Sequence, residues 1–415
     1  MAVAGTENQH PLEVRPNASF VGSAAKVGSW LTQVILVVAV VVLGAANNIT
    51  KQIASKPLKQ YTYMIGLATA VAYVPLYCGV LMSLLRTGIV PGYQMHFVWG
   101  RNASGWRFLW LFIAASMGDT LGDVIGAICT PYVSGPIHSL LSNCTTMYIA
   151  MLSMCALSKR YSLLQCLALC SVLSAVVIGT MPSFEKQASK KNPTNPFFAT
   201  VLGASCIFNA ISFVIKELLF SRYNLWVESR QIQDAKGLHV FMVTAHTALF
   251  QLPFTLLCVP FNQALGQTHG EDVFTYLGEA FTCLFSSSPD SCGPDSVHGE
   301  AAGLCVAIYV VANISWNLTI LASVKYSGAL TTFVALKAVF PLSSFLFAYV
   351  QWPLLGMTPL HWLTWLSIAL MLPSIGIFQW ASVQQQGRAK QDISSASCCW
   401  PLFSNRPSSA RQPLI

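Results

Sequence analysis

Residues 110–129 read WLFIAASMGDTLGDVIGAIC, and this stretch decides the fold class. It is long and apolar enough to cross a bilayer as a helix, which takes about 20 residues, yet it contains Asp119 and Asp123. Stretches of similar hydrophobicity recur between Trp30 and Trp380 in a chain with 54% hydrophobic and 9% charged residues. A soluble protein of 415 residues would need more charge to cover its surface. The sequence therefore predicts an all-α polytopic membrane protein.

Ten transmembrane helices are predicted from these stretches. Their approximate bounds are 28–50, 62–85, 105–128, 133–157, 161–181, 196–220, 238–261, 303–323, 328–350 and 358–380. Lys and Arg are concentrated in connections that face the cytosol if the N-terminus is cytosolic, and Lys51 is assigned to the first connection on the opposite side. Residues 1–27 and 381–415 are then cytosolic tails, and the first of them lacks the apolar core of a secretory signal. The net charge of +8 is scattered over loops, which is not typical of a nucleic-acid-binding protein.

The spans divide into a first five-helix repeat, 28–181, and a second, 196–380. Span four opens with YVSGPIHSLLSN (132–143) and span nine with KYSGALTTFVAL (325–336), so each has Tyr closely followed by Ser-Gly after a very short connection. Because each repeat has an odd number of spans, the second is inverted relative to the first. Inverted repeats around a central cavity are typical of secondary transporters.

Asp119 and Asp123 are the main candidates for a functional site. Charged groups inside a span cost about 2.5–3.5 kcal/mol each on insertion scales and usually face a cavity or a partner. At positions i and i+4 the two carboxylates share a helical face, where their repulsion favours a protonated form of at least one of them. The pair is interpreted as a proton or cation site, the alternative being a helix-end pair that reaches the headgroups or binds a neighbouring helix. Gly118, Gly122 and Gly126 form a stripe that allows a neighbouring helix to approach closely.

Three further charged residues fall within spans. Lys337 lies in the middle of span nine, where it is expected to pair with an acid of span three or to meet an anionic group of the solute. Lys216 and Glu217 lie near the predicted cytosolic end of span six, and anchoring at the membrane interface is the favoured reading for both.

Uncharged polar residues complete the candidate solute- and proton-binding set. Asn47, Asn48 and Asn143 supply hydrogen-bonding groups at span depth, and His138 is placed in the same cavity. His138 and His246 titrate near neutral pH when unperturbed, although a lone histidine in a span is more often only hydrogen-bonded.

Nothing in the chain indicates an enzyme. The GDTLGD stretch resembles the motif of intramembrane aspartyl proteases, but those enzymes carry their two aspartates on two facing helices. No HExxH, GxSxG or phosphate-binding loop occurs in the sequence. We therefore expect no cofactor and no metal, and expect the partners to be a small-molecule solute, protons and the lipid bilayer, with the protein acting as a monomer.

One long connection, 262–302, faces away from the cytosol and contains Cys283 and Cys292. A disulfide between them would close a short loop in an oxidising or luminal compartment, and two unpaired thiols are the alternative. The segment 276–285 has apolar residues at helical spacing, which is typical of a helix on the membrane surface.

These features together resemble the chloroquine resistance transporter family of the drug/metabolite transporter superfamily. The matching features are AASMGDTLGDVIGA (114–127), the tight turn before span four, the step Lys159-Arg160-Tyr161, and AFTCLF (280–285) followed by Cys292-Gly293. Each is weak alone, but their order is similar over about 30–380.

The resemblance implies ten helices in two inverted halves around a cavity, with loop disulfides in a vacuole lumen. Members export small organic solutes, often cationic amino acids, peptides or amphipathic drugs, from an acidic compartment with protons. Plant relatives handle glutathione-type thiols at the plastid envelope. By this resemblance Asp119 matches the family's span-three aspartate, and Asn48 falls at a cavity-lining place.

Three departures bear on the solute. Asp123 extends the acidic face, and Lys337 stands where the malaria-parasite member has a neutral Gln. Those parasites' members carry two loop disulfides, whereas only Cys283 and Cys292 are present here.

The sequence thus predicts a proton-linked carrier of the vacuolar or lysosomal membrane. The alternatives are a plastid carrier of thiols such as glutathione or γ-glutamylcysteine, a nucleotide-sugar carrier, and a non-transporting membrane scaffold or receptor.

Overall fold

The protein is all-helical wherever its structure is described. The computed structural model describes residues 22–100, 107–156, 161–183, 194–232, 236–260, 272–286, 288, 292–293, 298–358 and 360–398. Within these ranges there is no named strand, and the bridge between Trp352 and Gly356 is isolated. The predicted tails outside 22–398 and the Lys159-Arg160 step lie outside the described residues.

Twelve helices are named in chain order within the described ranges. They are α1 Gly22–Ala54, α2 Tyr63–Arg86, α3 Tyr93–Trp99, α4 Leu109–Cys129, α5 Gly135–Leu141, α6 Cys144–Ala156, α7 Leu163–Thr180, α8 Pro196–Ser229, α9 Val240–Leu257, α10 Val273–Phe285, α11 Ala302–Tyr349 and α12 Trp362–Cys398. Eight helical segments among the described residues are long and apolar enough to cross a membrane. Shorter apolar segments are Val273–Phe285, Leu336–Tyr349 and Trp362–Phe378.

Several helices begin where the sequence supplies an N-cap. Ser162 and Gln165 form a reciprocal capping box at the start of α7. Asn195 accepts a hydrogen bond from the backbone of Phe197, directly before Pro196 at the first position of α8. Asp272 caps α10 in the same way, through the backbone N–H of Thr275.

Helix α11 folds back on itself and supplies two arms. A methyl group placed on Gly44 of α1 would lie 2.6 Å from Val339 and 2.8 Å from Trp316. In a straight helix those two residues would be about 34 Å apart, at 1.5 Å per residue. The chain therefore reverses between Trp316 and Val339, so that both arms pack on α1. The two predicted spans 303–323 and 328–350 correspond to these arms.

The helices pack in pairs that join the two halves of the chain. Helix α1 lies against α11, α8 lies against α4 and α6, and α9 lies against α4. Helices α2 and α9 pack together, as do α7 and α12, and α2 also contacts α11. The site described below lies where α1, α2, α4, α8, α9 and α11 meet.

Helix α10 covers the end of the bundle at which α1 and α2 are joined. Tyr61 donates a hydrogen bond to Glu279 of α10 at 2.9 Å, and the rings of Tyr61 and Tyr276 are 5.4 Å apart. Cys283 and Cys292 form a disulfide that ties α10 to the following loop. The segment predicted to be helical in the long connection is thus a helix, and one of its faces is packed on the bundle.

Some boundaries differ from those expected. Helix α1 begins at Gly22, inside the predicted tail, and continues to Ala54. Helix α8 runs nine residues beyond the predicted end at 220, to Ser229. Span four is interrupted between Leu141 and Cys144. Helix α12 continues to Cys398, well into the region predicted as a cytosolic tail.

Candidate functional site

The glycine stripe of α4 brings α8 into close contact with the acid pair. A methyl group on Gly118 would lie 2.8 Å from the carbonyl oxygen of Phe208, and one on Gly122 would overlap the carboxamide of Asn209. Without side chains at these two positions the backbones approach closely. Asp119 and Asp123 lie one turn apart on α4, so the close approach places charged residues of α8 within reach of them.

Asp119 forms an ion pair with Lys216 of α8. The Nζ atom of Lys216 donates to Oδ2 of Asp119 at 2.6 Å, and the two side chains are 24% and 19% exposed. The reading of Lys216 as an interfacial anchor was therefore wrong. Because α8 continues to Ser229, Lys216 lies well inside the helix, about 20 Å from its end. The pairing expected for Lys337 with an acid of span three is made at Asp119 by Lys216 instead.

Asp123 differs from Asp119 in its surroundings, because its side chain is exposed. Gln251 of α9 donates to its Oδ2 atom at 3.1 Å. Lys51 of α1 acts electrostatically on the carboxylate, and the carboxylate in turn acts on Tyr73 of α2 and Tyr309 of α11. A side chain that is exposed yet has such neighbours on several helices lies in a hollow between them.

Lys51 belongs to this site and not to a loop. It lies inside α1, three residues before the end of the helix at Ala54. Its Nζ atom would lie 3.9 Å from a methyl group placed on Gly126 of α4, one turn beyond Asp123. The assignment of Lys51 to a connection was wrong because α1 is longer than expected. With Lys216, it balances the two carboxylates with two ammonium groups.

A network of uncharged groups joins α1, α2 and α11 beside the acid pair. Asn313 donates to Asn47 at 3.0 Å and to the Tyr309 hydroxyl at 3.3 Å. The hydroxyl of Tyr73 donates to Asn313 Oδ1. Asn317 donates to Tyr73 at 2.7 Å and to Asn313 Oδ1 at 3.1 Å. We call Asn47, Tyr73, Tyr309, Asn313 and Asn317 the amide cluster.

The remaining first-half candidates connect α1 to α5 and the second arm of α11. Asn48 donates to the Ser139 hydroxyl at 3.3 Å, and Ser343 donates to the same hydroxyl at 3.2 Å. His138, which is buried, has its Nε2 atom 3.4 Å from the Thr130 hydroxyl. These contacts place Asn48 and His138 in the central part of the bundle.

Asn143 bonds to the backbone of its own helical segment. Its amide donates to the backbone carbonyls of Ser139 at 3.0 Å and Leu140 at 3.3 Å. These carbonyls lie at the break between α5 and α6, where the regular helical bonding ends. In this geometry Asn143 stabilises the interruption of the helix.

His246 and Lys337 lie away from the acid pair's direct contacts. The Nδ1 atom of His246 is 2.7 Å from the Met242 carbonyl oxygen, and Nε2 is 3.2 Å from the indole nitrogen of Trp99. A carbonyl only accepts and an indole N–H only donates, so the neutral imidazole with its proton on Nδ1 satisfies both contacts. Lys337 lies near Cys144 and Cys206.

Sequence reasoning missed Lys51, Lys216, Gln251, Tyr73 and the Asn313–Asn317 pair as site residues. One signal for the last was available, because Asn313 and Asn317 are four residues apart in an apolar stretch and therefore share a helical face. No group of three or more metal-ligating side chains occurs in the part of the chain that is described.

Apolar helices packed around a charged, solvent-accessible centre define an all-α polytopic membrane protein. The chain belongs to the CRT-like family, described as chloroquine-resistance transporter-like, whose family model matches residues 33–378. Membership of this family indicates a membrane transporter.

Similar proteins come from a plant and from a slime mould. "Protein CLT2, chloroplastic" of Arabidopsis thaliana is 25% identical over 309 residues, which is 74% of this chain and 67% of the relative. "Protein CLT3, chloroplastic" of the same plant is 23% identical over 75% of this chain and 64% of its own length. "Crt homolog 2" of Dictyostelium discoideum is 25% identical over 88% of this chain and 75% of its own length. The chain thus spans about two thirds of the length of the chloroplastic relatives.

Proposed function

We propose that this protein is a proton-linked secondary transporter of small organic solutes. The observation that carries the proposal is the exposed carboxylate of Asp123 in a hollow between helices, next to the Asp119–Lys216 ion pair. Ionisable groups inside membrane spans mark substrate pathways and proton relays in transporters. A non-transporting scaffold has no need of a charged, solvent-accessible centre.

The proposed architecture is ten spans in two inverted five-helix repeats. The packing of the helices supports it, because exchanging the halves reproduces the largest helix contacts. The contact of α1 with α11 has its equivalent in that of α8 with α4, α5 and α6, and the contact of α4 with α9 has its equivalent in that of α11 with α2. The pairs α2–α9 and α7–α12 map onto themselves.

A short sequence repeat supports the same arrangement. Both α1 and α8, the first helices of the two halves, contain Val-Leu-Gly-Ala, at 42–45 and 201–204. At Gly44 both arms of α11 come close to α1, and a methyl group on Gly203 would lie 3.4 Å from Leu141 of α5. The glycine serves a close helix approach in each half.

The mechanism we propose is alternating access around this centre. An acidic compartment protonates a carboxylate of the pair or favours a cationic solute group there, and the neutral cytosol removes the proton, which gives the cycle its direction. Asp119 and Asp123 are the proton- or cation-binding groups. Lys337, Asn47, Asn48 and His138 shape the remainder of the cavity, and Asn143 acts on the shape of the helix beside it.

The solutes we propose are amino acids, short peptides and amphipathic cations or drugs. The balance of two carboxylates and two ammonium groups at the centre supports solutes with both charges, since each end meets an opposite charge. The proposed membrane is vacuolar or lysosomal. The alternative is the plastid envelope with a thiol such as glutathione. The chloroplastic names of the Arabidopsis relatives support the plastid location and do not bear on the solute.

Proteoliposome uptake tests the proposal. Purified protein is reconstituted into liposomes with a neutral interior, the external buffer is made acidic, and uptake is followed for the wild type, Asp119→Asn, Asp123→Asn and the double variant. We expect the gradient-driven component to be lost in the double variant while membrane insertion is unchanged. Glu228→Gln, an exposed acid near the end of α8, is the matched control and retains transport. Unchanged gradient-driven transport in the double variant contradicts the proposal.

A counterflow screen identifies the solute and separates the alternatives. The panel contains amino acids, dipeptides, glutathione and UDP-sugars. Counterflow of glutathione alone favours the plastid-type carrier, and counterflow of UDP-sugars alone favours the nucleotide-sugar carrier. A receptor or scaffold gives no counterflow with any compound.

A further inference from the structure

The amide cluster occupies the position in the second half that the acid pair occupies in the first. Asp119 and Asp123 are four residues apart on α4, and Asn313 and Asn317 are four residues apart on α11. Asp119 precedes Gly135 of the first Ser-Gly motif by 16 residues, and Asn313 precedes Gly328 of the second by 15. In each half, therefore, the third span presents two residues with carboxyl or carboxamide ends on one face.

The partners of the two pairs are also equivalent. Asp123, in the first half, accepts a hydrogen bond from Gln251 on α9, which is the second helix of the second half. Asn317 and Asn313, in the second half, bond to Tyr73 on α2, which is the second spanning helix of the first half. The first helix of each half completes the arrangement, with Lys216 of α8 on Asp119 and Asn47 of α1 on Asn313.

The two sites differ in charge. The acid pair is held by an ion pair and by a hydrogen bond to a carboxylate, both of which change when a proton binds. The amide cluster is held by neutral donors and acceptors, because carboxamides do not titrate and a phenol loses its proton only near pH 10.

The charged and titratable groups that face the amide cluster come from several helices. Asp119 and Asp123 of α4 act on Tyr73, as does Tyr77 of α2. Asp123 also acts on Tyr309 of α11. The two sites are therefore adjacent, although the groups of the amide cluster do not themselves titrate in the physiological range.

We propose that the amide cluster is the permanently neutral counterpart of the acid pair, so that only one half of the transporter responds to protons. Asn313, Asn317 and Tyr73 are positioning residues that hold α1, α2 and α11 together at every pH. The junction of α4 with α8 and α9 is the one that a proton alters. The expected effect on transport depends on the proton linkage proposed above.

Two substitutions distinguish a requirement for an uncharged amide cluster from a requirement for its packing alone. Tyr73→Phe removes hydrogen bonds without adding a charge, so we expect the melting temperature to fall by about 2–4 °C, equally at about pH 5 and about pH 8. Asn317→Asp adds a carboxyl group that contacts Tyr73, on which Asp119 and Asp123 also act. Partial burial and the nearby acids oppose ionisation of the new carboxyl group. Its melting temperature is expected to fall further below that of the wild type as the pH rises.

Asn195→Asp is the matched control. Aspartate caps a helix as well as asparagine, and Asn195 lies at the start of α8 outside both clusters, so its melting temperature relative to the wild type is expected to vary little with pH. In transport, Tyr73→Phe lowers the rate by the same factor at every pH, whereas Asn317→Asp changes the shape of the pH profile. Recovery of folded Asn317→Asp only from acidic buffer also supports the proposal.

Two results would overturn it. One is a melting deficit of Asn317→Asp that is the same at both pH values together with an unaltered transport profile. The other is a changed pH profile in Tyr73→Phe. If wild-type transport is itself independent of pH, the proposed proton linkage fails. The melting measurements then still decide whether a titratable group in the amide cluster makes the stability of the fold depend on pH.

Discussion

The ion pair between Asp119 and Lys216 should contribute measurably to stability. At an N–O distance of 2.6 Å and an effective dielectric constant of about 20, Coulomb's law gives an attraction of about 6 kcal/mol. Removing two ions from water offsets most of this. Because both side chains remain about one fifth exposed, we expect a net coupling of about 1–3 kcal/mol.

A double-mutant cycle measures this coupling. Asp119→Asn, Lys216→Met and the double variant are purified in detergent, and their unfolding by a denaturing detergent is followed by circular dichroism. Each single variant leaves one charge in the bundle without its partner. We therefore expect the two single losses of unfolding free energy to add up to more than the loss in the double variant. Lys236→Met, which removes a cation whose side chain is exposed outside the spans, is the control.

A coupling energy below about 0.5 kcal/mol would refute the reasoning, because contacts that do not interact add within that margin. It would mean that solvent in the hollow screens the pair as it does on a protein surface.

Three more outcomes follow from the described geometry. Gly118→Ala should destabilise the protein by about 1–3 kcal/mol, because its methyl group would lie 2.8 Å from the backbone carbonyl oxygen of Phe208, which cannot turn away as a side chain can. Gly66→Ala, whose methyl group meets open space, should not, and thermal unfolding of the two variants compares them. Asp272→Ala should weaken α10 in hydrogen exchange. The hydrogen bond from the Thr275 backbone N–H lowers the pKa of Asp272. The contribution of the Asp272 cap to helix stability is therefore complete above the ordinary aspartate pKa and is lost as the pH falls through the lowered pKa. An effect of the substitution that grows on acidification would contradict this. Cys292→Ser opens a loop with a sequence separation of 9 and should cost about 2–3 kcal/mol, with the wild type but not the variant sensitive to reductant in thermal unfolding.

The membrane-helical class could be predicted from the sequence because apolar runs of bilayer length are an unambiguous pattern. The tight reversal between the last two apolar stretches before residue 350 was also within reach, since the second Ser-Gly motif repeats the first. The break after Leu141 was not, because Asn143 satisfies backbone carbonyls that a continuous helix would satisfy itself.

The site was predicted in part, for a specific physical reason. The two acids stand out because charge is rare in a span. The partners of the acids do not stand out. Whether a lysine near the end of a span is assigned to the membrane interface or to the interior depends on where the span is estimated to end. An end at 220 makes Lys216 an interfacial residue, and an end at Ser229 makes it an interior one. Lys51 was misplaced by the same error at the end of α1.

The close approach of both arms of α11 to Gly44 has a consequence for motion. Because the two arms pack on the same helix, a tilt of α1 displaces both of them in the same direction. A side chain at position 44 would meet Val339 of one arm and Trp316 of the other, and would push both away from α1 together.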